Sequence, residues 1–124
     1  MAQNCGATVW FIPDGYYPEF SSGKFSSHEA ICVLNPGKQD AEILITLYFE
    51  DRDKMEGFKA ICKAERTNHI RMDQIRNSEG AGVPVGVAYA MMVESNTEII
   101  VQYSRMDTTQ AEMALMTTMA YPVK

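Results

Sequence analysis

Alternation of apolar and polar residues is the clearest pattern in this chain, and it is strongest from residue 41 to residue 50. Every second position there carries an apolar side chain: Ala41, Ile43, Ile45, Leu47 and Phe49. A repeat of two residues places successive side chains on opposite faces of a β-strand. We therefore predict a strand with one face on a hydrophobic core, and a β-class fold.

Shorter apolar runs, separated by turn-forming residues, predict further strands. They cover residues 8–12, 29–34, 58–64, 67–72, 87–93 and 99–103. The Pro-Asp-Gly sequence at 13–15 is predicted to end the first of them. The Asn-Pro-Gly turn at 35–37 predicts a hairpin with the strand at 41–50, and Ser-Asn-Thr at 95–97 predicts a second hairpin.

The C-terminal segment fits two structures. Thr109 and Glu112 have the spacing of a helix capping box, whereas residues 115–121 alternate as a strand does. We predict a turn followed by a last strand. About eight short strands then predict a single domain over residues 1–124, folded as an antiparallel β-sandwich.

Apolar residues also occur on the outward side of the predicted strands. Leu44 and Tyr48 lie on one strand, and Met92 and Ile100 become cross-strand partners if 95–97 is a three-residue loop. Scattered apolar side chains are normal on protein surfaces. Two apolar pairs on two strands nevertheless favour subunit contacts, so we predict a homo-oligomer with these four residues at its interface.

The composition narrows the class of protein. A net charge of −5 and a pI near 4.9 disfavour binding to nucleic acid or to anionic membrane. Three cysteines without CxxC spacing, Cys5, Cys32 and Cys62, favour neither a disulfide framework nor a zinc site. We expect a protein of the reducing cytoplasm, without a secretory signal or a membrane span.

The residues that could carry chemistry lie near predicted strand ends. They are His28, Glu29, His69, Arg71, Arg105 and Glu112. If they converge, arginine and histidine could bind carboxylate, phosphate or sugar hydroxyls. The alternative is that they form cross-strand pairs and turn clamps with a purely structural role.

An enzyme is not indicated. Ser27, His28 and Glu29 are adjacent in sequence, and neighbours on a strand point to opposite faces, so they cannot act as a triad. Two isolated histidines are a weak metal signal, and we expect no catalytic residue, metal or cofactor. Trp10 could stack on a sugar, but a core position is the commoner role for such a residue.

Four segments together resemble one known family, the soluble sensory rhodopsin transducers. The resemblance covers residues 9–122, and the segments that carry it are WFIPDGYYP, FSSHEAICVLNPGKQDAEILITLYFEDRD, AERTNHIRMDQI and VESNTEIIVQYSRMDTTQAEMALMTTMAYP. The resemblance implies a cytoplasmic β-sandwich that assembles as a homotetramer and receives a signal from a membrane photoreceptor. It also implies wider roles in the family, such as binding small molecules or sugars.

Two hypotheses for the function follow. The first is a non-enzymatic signalling or adaptor protein that works by contacts with other proteins, among them a membrane photoreceptor or another signalling protein. The second is a module that binds a carbohydrate or a small anion through the polar residues above. A metal-dependent enzyme and a DNA-binding protein are weaker alternatives.

Overall fold

The computed structural model describes residues 5–19, 28–107 and 114–124. These residues form eight strands: β1 (Ala7–Tyr16), β2 (His28–Asn35), β3 (Ala41–Phe49), β4 (Met55–Cys62), β5 (Arg66–Arg71), β6 (Ala88–Asp107), β7 (Ala114–Met119) and β8 (Tyr121–Val123). Every pairing between them is antiparallel. The predicted all-β antiparallel fold is confirmed, although β6, with 20 residues, is not short.

Two sheets share the long strand β6. The first sheet has the order β4-β3-β6-β1-β8, and in the second sheet β6 lies between β2 and β7, with β5 on the far side of β2. The first half of β6 pairs with β1 and β3, and its second half pairs with β2 and β7. The apolar faces of both sheets contribute to one buried cluster.

The predicted hairpin at residues 95–97 is wrong. Between the register pairs Val9–Glu94 and Ala7–Ile99, β6 contains more residues than β1 does. The extra residues of β6 form a β-bulge. A bulge bends a strand and increases its twist, so the polar residues at 95–97 let β6 leave the first sheet and enter the second. The predicted partnership of Met92 with Ile100 is therefore wrong as well.

The predicted hairpin between β2 and β3 is also wrong, because these strands belong to different sheets. The turn at 36–40 carries the chain from one sheet to the other. Asn35, fully buried, fixes this turn: its Nδ2 donates to the carbonyls of Gln39 (2.8 Å) and Cys62 (3.0 Å), and its Oδ1 accepts from the amide of Gly37 (3.0 Å). The observed hairpin joins β3 to β4.

Strand β1 continues past the predicted stop at residues 13–15. The register with β6 shifts between Ile12 and Gly15, so Pro13 lies in a bulge, where a missing N–H is tolerated. A Cβ at Gly15 would lie only 2.8 Å from Cζ of Tyr89. Glycine therefore lets the Tyr89 ring pack against the β1 backbone, beside the polar cluster described below.

The core contains the residues that the alternation predicted. Trp10 is buried, and its Nε1 donates to the carbonyls of Ala7 (3.0 Å) and Ile99 (3.1 Å), which confirms its core position. Cys62 is buried, whereas Cys32 is only half-buried. None of the described residues lies in a helix long and apolar enough to cross a membrane.

Candidate functional site

The structure divides the predicted polar group between the two faces of the second sheet. Glu29 and Arg105 are register partners on the same face as the buried Tyr103. His69 and Arg71 on β5 pair with Cys32 and Ala30 and so lie on the opposite, outer face.

His28 also has the outer-face position on β2, whereas Glu112 lies outside the described residues. The sequence-predicted residues therefore do not form one cleft.

The inner face carries a buried carboxylate, that of Glu29, which is 2% exposed. It accepts hydrogen bonds from the hydroxyls of Tyr89 and Tyr103. It also accepts from the backbone amide of Tyr16 (2.6 Å) and from Nη2 of Arg105 (3.4 Å). We call these five residues the Glu29 cluster.

The Glu29 cluster joins both sheets, and it draws on both halves of β6, on either side of the bulge at residues 95–97. Glu29 belongs to β2 in the second sheet, whereas Tyr16 belongs to β1 in the first. Tyr89 and Tyr103 come from the two halves of β6. A buried charge is tolerated only when it is paired and hydrogen-bonded, and here its four donors come from β1 and from both halves of β6.

Arg105 closes the Glu29 cluster toward solvent. Its Nε donates to the Tyr103 hydroxyl (3.1 Å), and its Nη2 lies 4.0 Å from Oδ2 of the exposed Asp14. Burial tends to lower the pKa of Arg105, but Tyr103, Glu29 and Asp14 more than compensate and raise it above its ordinary value. Arg105 therefore stays charged opposite Glu29.

The two tyrosines of the Glu29 cluster act as donors because they stay protonated. Burial raises the pKa of Tyr89, and the charge of Glu29 and the hydrogen bond to it raise it further. Burial also raises the pKa of Tyr103, again with Glu29 as the second cause. Three donors converge on Oε2 of Glu29 and the Tyr89 hydroxyl reaches Oε1, so both carboxylate oxygens are engaged within the protein and the cluster fits the structural clamp better than a ligand site.

We expect the stability of the protein to fall as the pH rises above about 10. In the unfolded chain Tyr89 and Tyr103 ionise near that pH, whereas in the folded protein they remain protonated. Their stabilising effect is thus complete below pH 10 and is lost above it, by up to about 1.4 kcal/mol per pH unit for each tyrosine. Urea unfolding between about pH 9 and pH 11 measures this slope.

The matched variant for this measurement is Tyr89→Phe, which removes one of the two titrating hydroxyls. Its stability should decline less steeply with pH than that of the unmodified protein. Equal slopes in the two proteins would contradict the assignment of the pH dependence to the Glu29 cluster.

On the outer face, Arg71 is engaged by Asp73 rather than open to a ligand. Nε and Nη2 of Arg71 donate to the two carboxylate oxygens of Asp73 at 2.8 and 2.7 Å. Burial raises the pKa of Asp73, but the bonds from Arg71, with a contribution from His28, bring it below its usual value. Among the described residues, no group of three or more His, Cys, Asp or Glu is placed to hold a metal ion.

The sequence reasoning missed several members of these clusters. Tyr89 and Tyr103 lie in the apolar runs at 87–93 and 99–103, which predict strands and no polar role, although a buried tyrosine hydroxyl usually needs a partner. That requirement is the signal that could have linked them to Glu29. Asp73 follows Arg71 by two residues, a spacing that places the two side chains on the same face of an extended chain.

The outer face of the first sheet carries a groove of about 1090 Å³. Three of the predicted interface residues, Leu44, Tyr48 and Met92, line it. Ile100 does not, because it pairs with Leu34 in the second sheet. The four residues therefore do not form one surface, although three of them do.

Comparison with known proteins agrees with the resemblance. A family model described as "Anabaena sensory rhodopsin transducer" matches residues 5–122. The structure is similar to "Crystal Structure of Thermotoga maritima 1070", with 36% identity, 95% of this chain and 96% of that chain covered, and a TM-score of 0.84. It is also similar to the Anabaena sensory rhodopsin transducer, with 33% identity, 82% and 99% covered, and a TM-score of 0.72. None of the curated proteins matches this chain.

Proposed function

The chain belongs to the Anabaena sensory rhodopsin transducer family, and on that premise we propose that it is a non-enzymatic, cytoplasmic signalling protein. It works as a homo-oligomer, most simply a tetramer, and passes a signal by contact with other proteins. Its upstream partner is a membrane photoreceptor or another signalling protein, and we favour the membrane receptor. The name of the Anabaena relative supports this partner class.

The observation that carries the proposal is the exposed apolar C-terminal segment. Its large side chains, Leu115, Met116, Met119, Tyr121 and Val123, are among the most exposed hydrophobic residues, and Leu115 is 76% exposed. Strand β7 has no charged residue, and in the described part of the chain it pairs only with β6. Monomeric proteins protect such edges with charges, prolines or bulges, so this strand is suited to contact a second copy.

We expect light scattering to give a mass of several times 13.9 kDa, and four times for a tetramer. The double variant Leu115→Lys, Met119→Lys should reduce this mass, because burying unpaired ammonium groups in a contact is costly. Val85→Lys is the control for the effect of an added lysine, since Val85 is also an exposed apolar residue but lies outside the strands. A monomeric unmodified protein, or loss of assembly in the control alone, would contradict the proposal.

The alternative of a sugar- or anion-binding module has less support. Its predicted residues His28, His69 and Arg71 lie on the opposite sheet face from Glu29 and Arg105. The Glu29 carboxylate already has four donors, and Arg71 is held by a carboxylate two residues away. The geometry thus favours a protein that works by contacts with other proteins over one that binds a small ligand.

A further inference from the structure

The groove on the outer face of the first sheet has an apolar floor. Thr46 and Met92 are register partners at its centre. Leu44 and Tyr48 flank Thr46 on β3, and each is 37% exposed. Side chains of this size and exposure can cover one or two apolar side chains of an incoming segment.

One wall of the groove is held in place by specific contacts. The Asn77 Oδ1 accepts from the amides of Glu79 (3.0 Å) and Ala81 (2.9 Å), which closes the loop at 77–81. This loop packs on β4 at Gly57, where a Cβ would lie 2.7 Å from Oγ of Ser78 and where φ is +88°. The groove is therefore preformed rather than dependent on a partner.

The charged residues that line the groove are mostly acidic. They are Asp53, Glu56, Glu79 and Glu94, with Lys54 and Lys59 as the basic members. Nζ of Lys54 lies 2.8 Å from Oε1 of Glu56, so these two neutralise each other. The other charged lining residues are three carboxylates and one lysine, Lys59. We call the charged lining residues the rim, and the rim is negative around an apolar floor.

We propose that this groove binds a basic segment of a membrane protein, in which Lys or Arg residues flank an apolar side chain. The inference rests on the proposed function, which supplies a membrane receptor as partner. Cytoplasmic loops of membrane proteins carry an excess of Lys and Arg, and their charge is complementary to the rim. A second copy of a chain with net charge −5 is a poorer match to the same rim.

The test uses a fluorescein-labelled hexapeptide, Lys-Lys-Leu-Phe-Arg-Lys, and the whole protein. Fluorescence anisotropy should show saturable binding that weakens at least about tenfold when salt is raised from about 0.02 M to about 0.5 M. A peptide in which Glu replaces each Lys and Arg should not bind. Equal binding of the two peptides, or absence of binding by the basic one, would overturn the inference.

Matched charge reversals locate the site. Glu79→Lys, at the wall, should weaken binding of the basic peptide about tenfold or more. Glu50→Lys changes the net charge by the same amount at an exposed position that does not line the groove, and it should leave binding nearly unchanged. Equal effects of the two variants would show a response to net charge only and would overturn the inference.

Two further measurements complete the test. Tyr48→Ala should weaken binding without changing its salt dependence, because it removes floor area but no charge. If Glu79→Lys lowers the mass seen in light scattering, a second copy occupies the groove and the inference is wrong. Failure of peptide binding with an intact oligomer separates failure of this site from failure of the proposed assembly.

Discussion

Replacing Glu29 with Ala is expected to lower the free energy of unfolding by about 3–5 kcal/mol, because it breaks a buried charge network. The change leaves the Tyr89 and Tyr103 hydroxyls without their shared acceptor. It also leaves the amide of Tyr16 and the guanidinium of Arg105 without that partner. For a chain of this length, about 1 kcal/mol corresponds to a melting shift of roughly 3–5 °C, so thermal unfolding at fixed protein concentration measures the loss.

Two variants serve as references for the Glu29 result. Glu50→Ala removes an exposed carboxylate and should change stability little. Glu29→Gln keeps one acceptor oxygen but brings an amide donor toward hydroxyl donors, so it should lie between the other two. If Glu29→Ala is as stable as Glu50→Ala, the cluster does not clamp the sheets together.

The strands could be predicted from sequence because alternation reports local burial. Strand β3 was predicted at 41–50 and is observed at Ala41–Phe49, and β5 was predicted at 67–72 and is observed at Arg66–Arg71. Strand partners could not be predicted in the same way. The turns at 35–37 and 95–97 show where the chain changes direction, but pairing depends on residues far away in sequence.

The candidate site was predictable in composition but not in geometry. Glu29 and Arg105 were both named from sequence, and both lie in the buried cluster. Their separation from His69 could not be foreseen, because residues 30–34 of β2 are apolar at every position and give no alternation. Without a polar side to the strand, sequence does not show which face Glu29 occupies.

In the C-terminal strand the apolar residues that the pattern predicts to be buried are exposed instead. Leu115 and Met119 share one face of the strand with Thr117, the spacing that predicts a core-facing side, yet both are exposed in the single chain. Ala120, between β7 and β8, is buried instead. An apolar stripe that the chain's own core does not cover is consistent with the proposed contact between copies.

Arg105→Ala is expected to destabilise the fold by about 1.5–3 kcal/mol, the cost of losing hydrogen bonds to a charged group. Arg105 is the cation that compensates the buried Glu29, and its side chain is only 23% exposed. Arg71→Ala is the matched change on the other face, where the pair with Asp73 is closer to solvent, and it should cost no more than about 1 kcal/mol.

Thermal unfolding and circular dichroism of the two arginine variants, at the same protein concentration, measure this difference. Arg71 has shorter contacts with its carboxylate than Arg105 has. A larger loss of stability for Arg105→Ala would therefore come from the deeper burial of its ion pair and not from closer contacts. A buried carboxylate that loses its cation stays out of reach of water, whereas Asp73 can recover solvent when Arg71 is removed. An equal or larger loss for Arg71→Ala would mean that the outer pair, and not the Glu29 cluster, holds the second sheet in place.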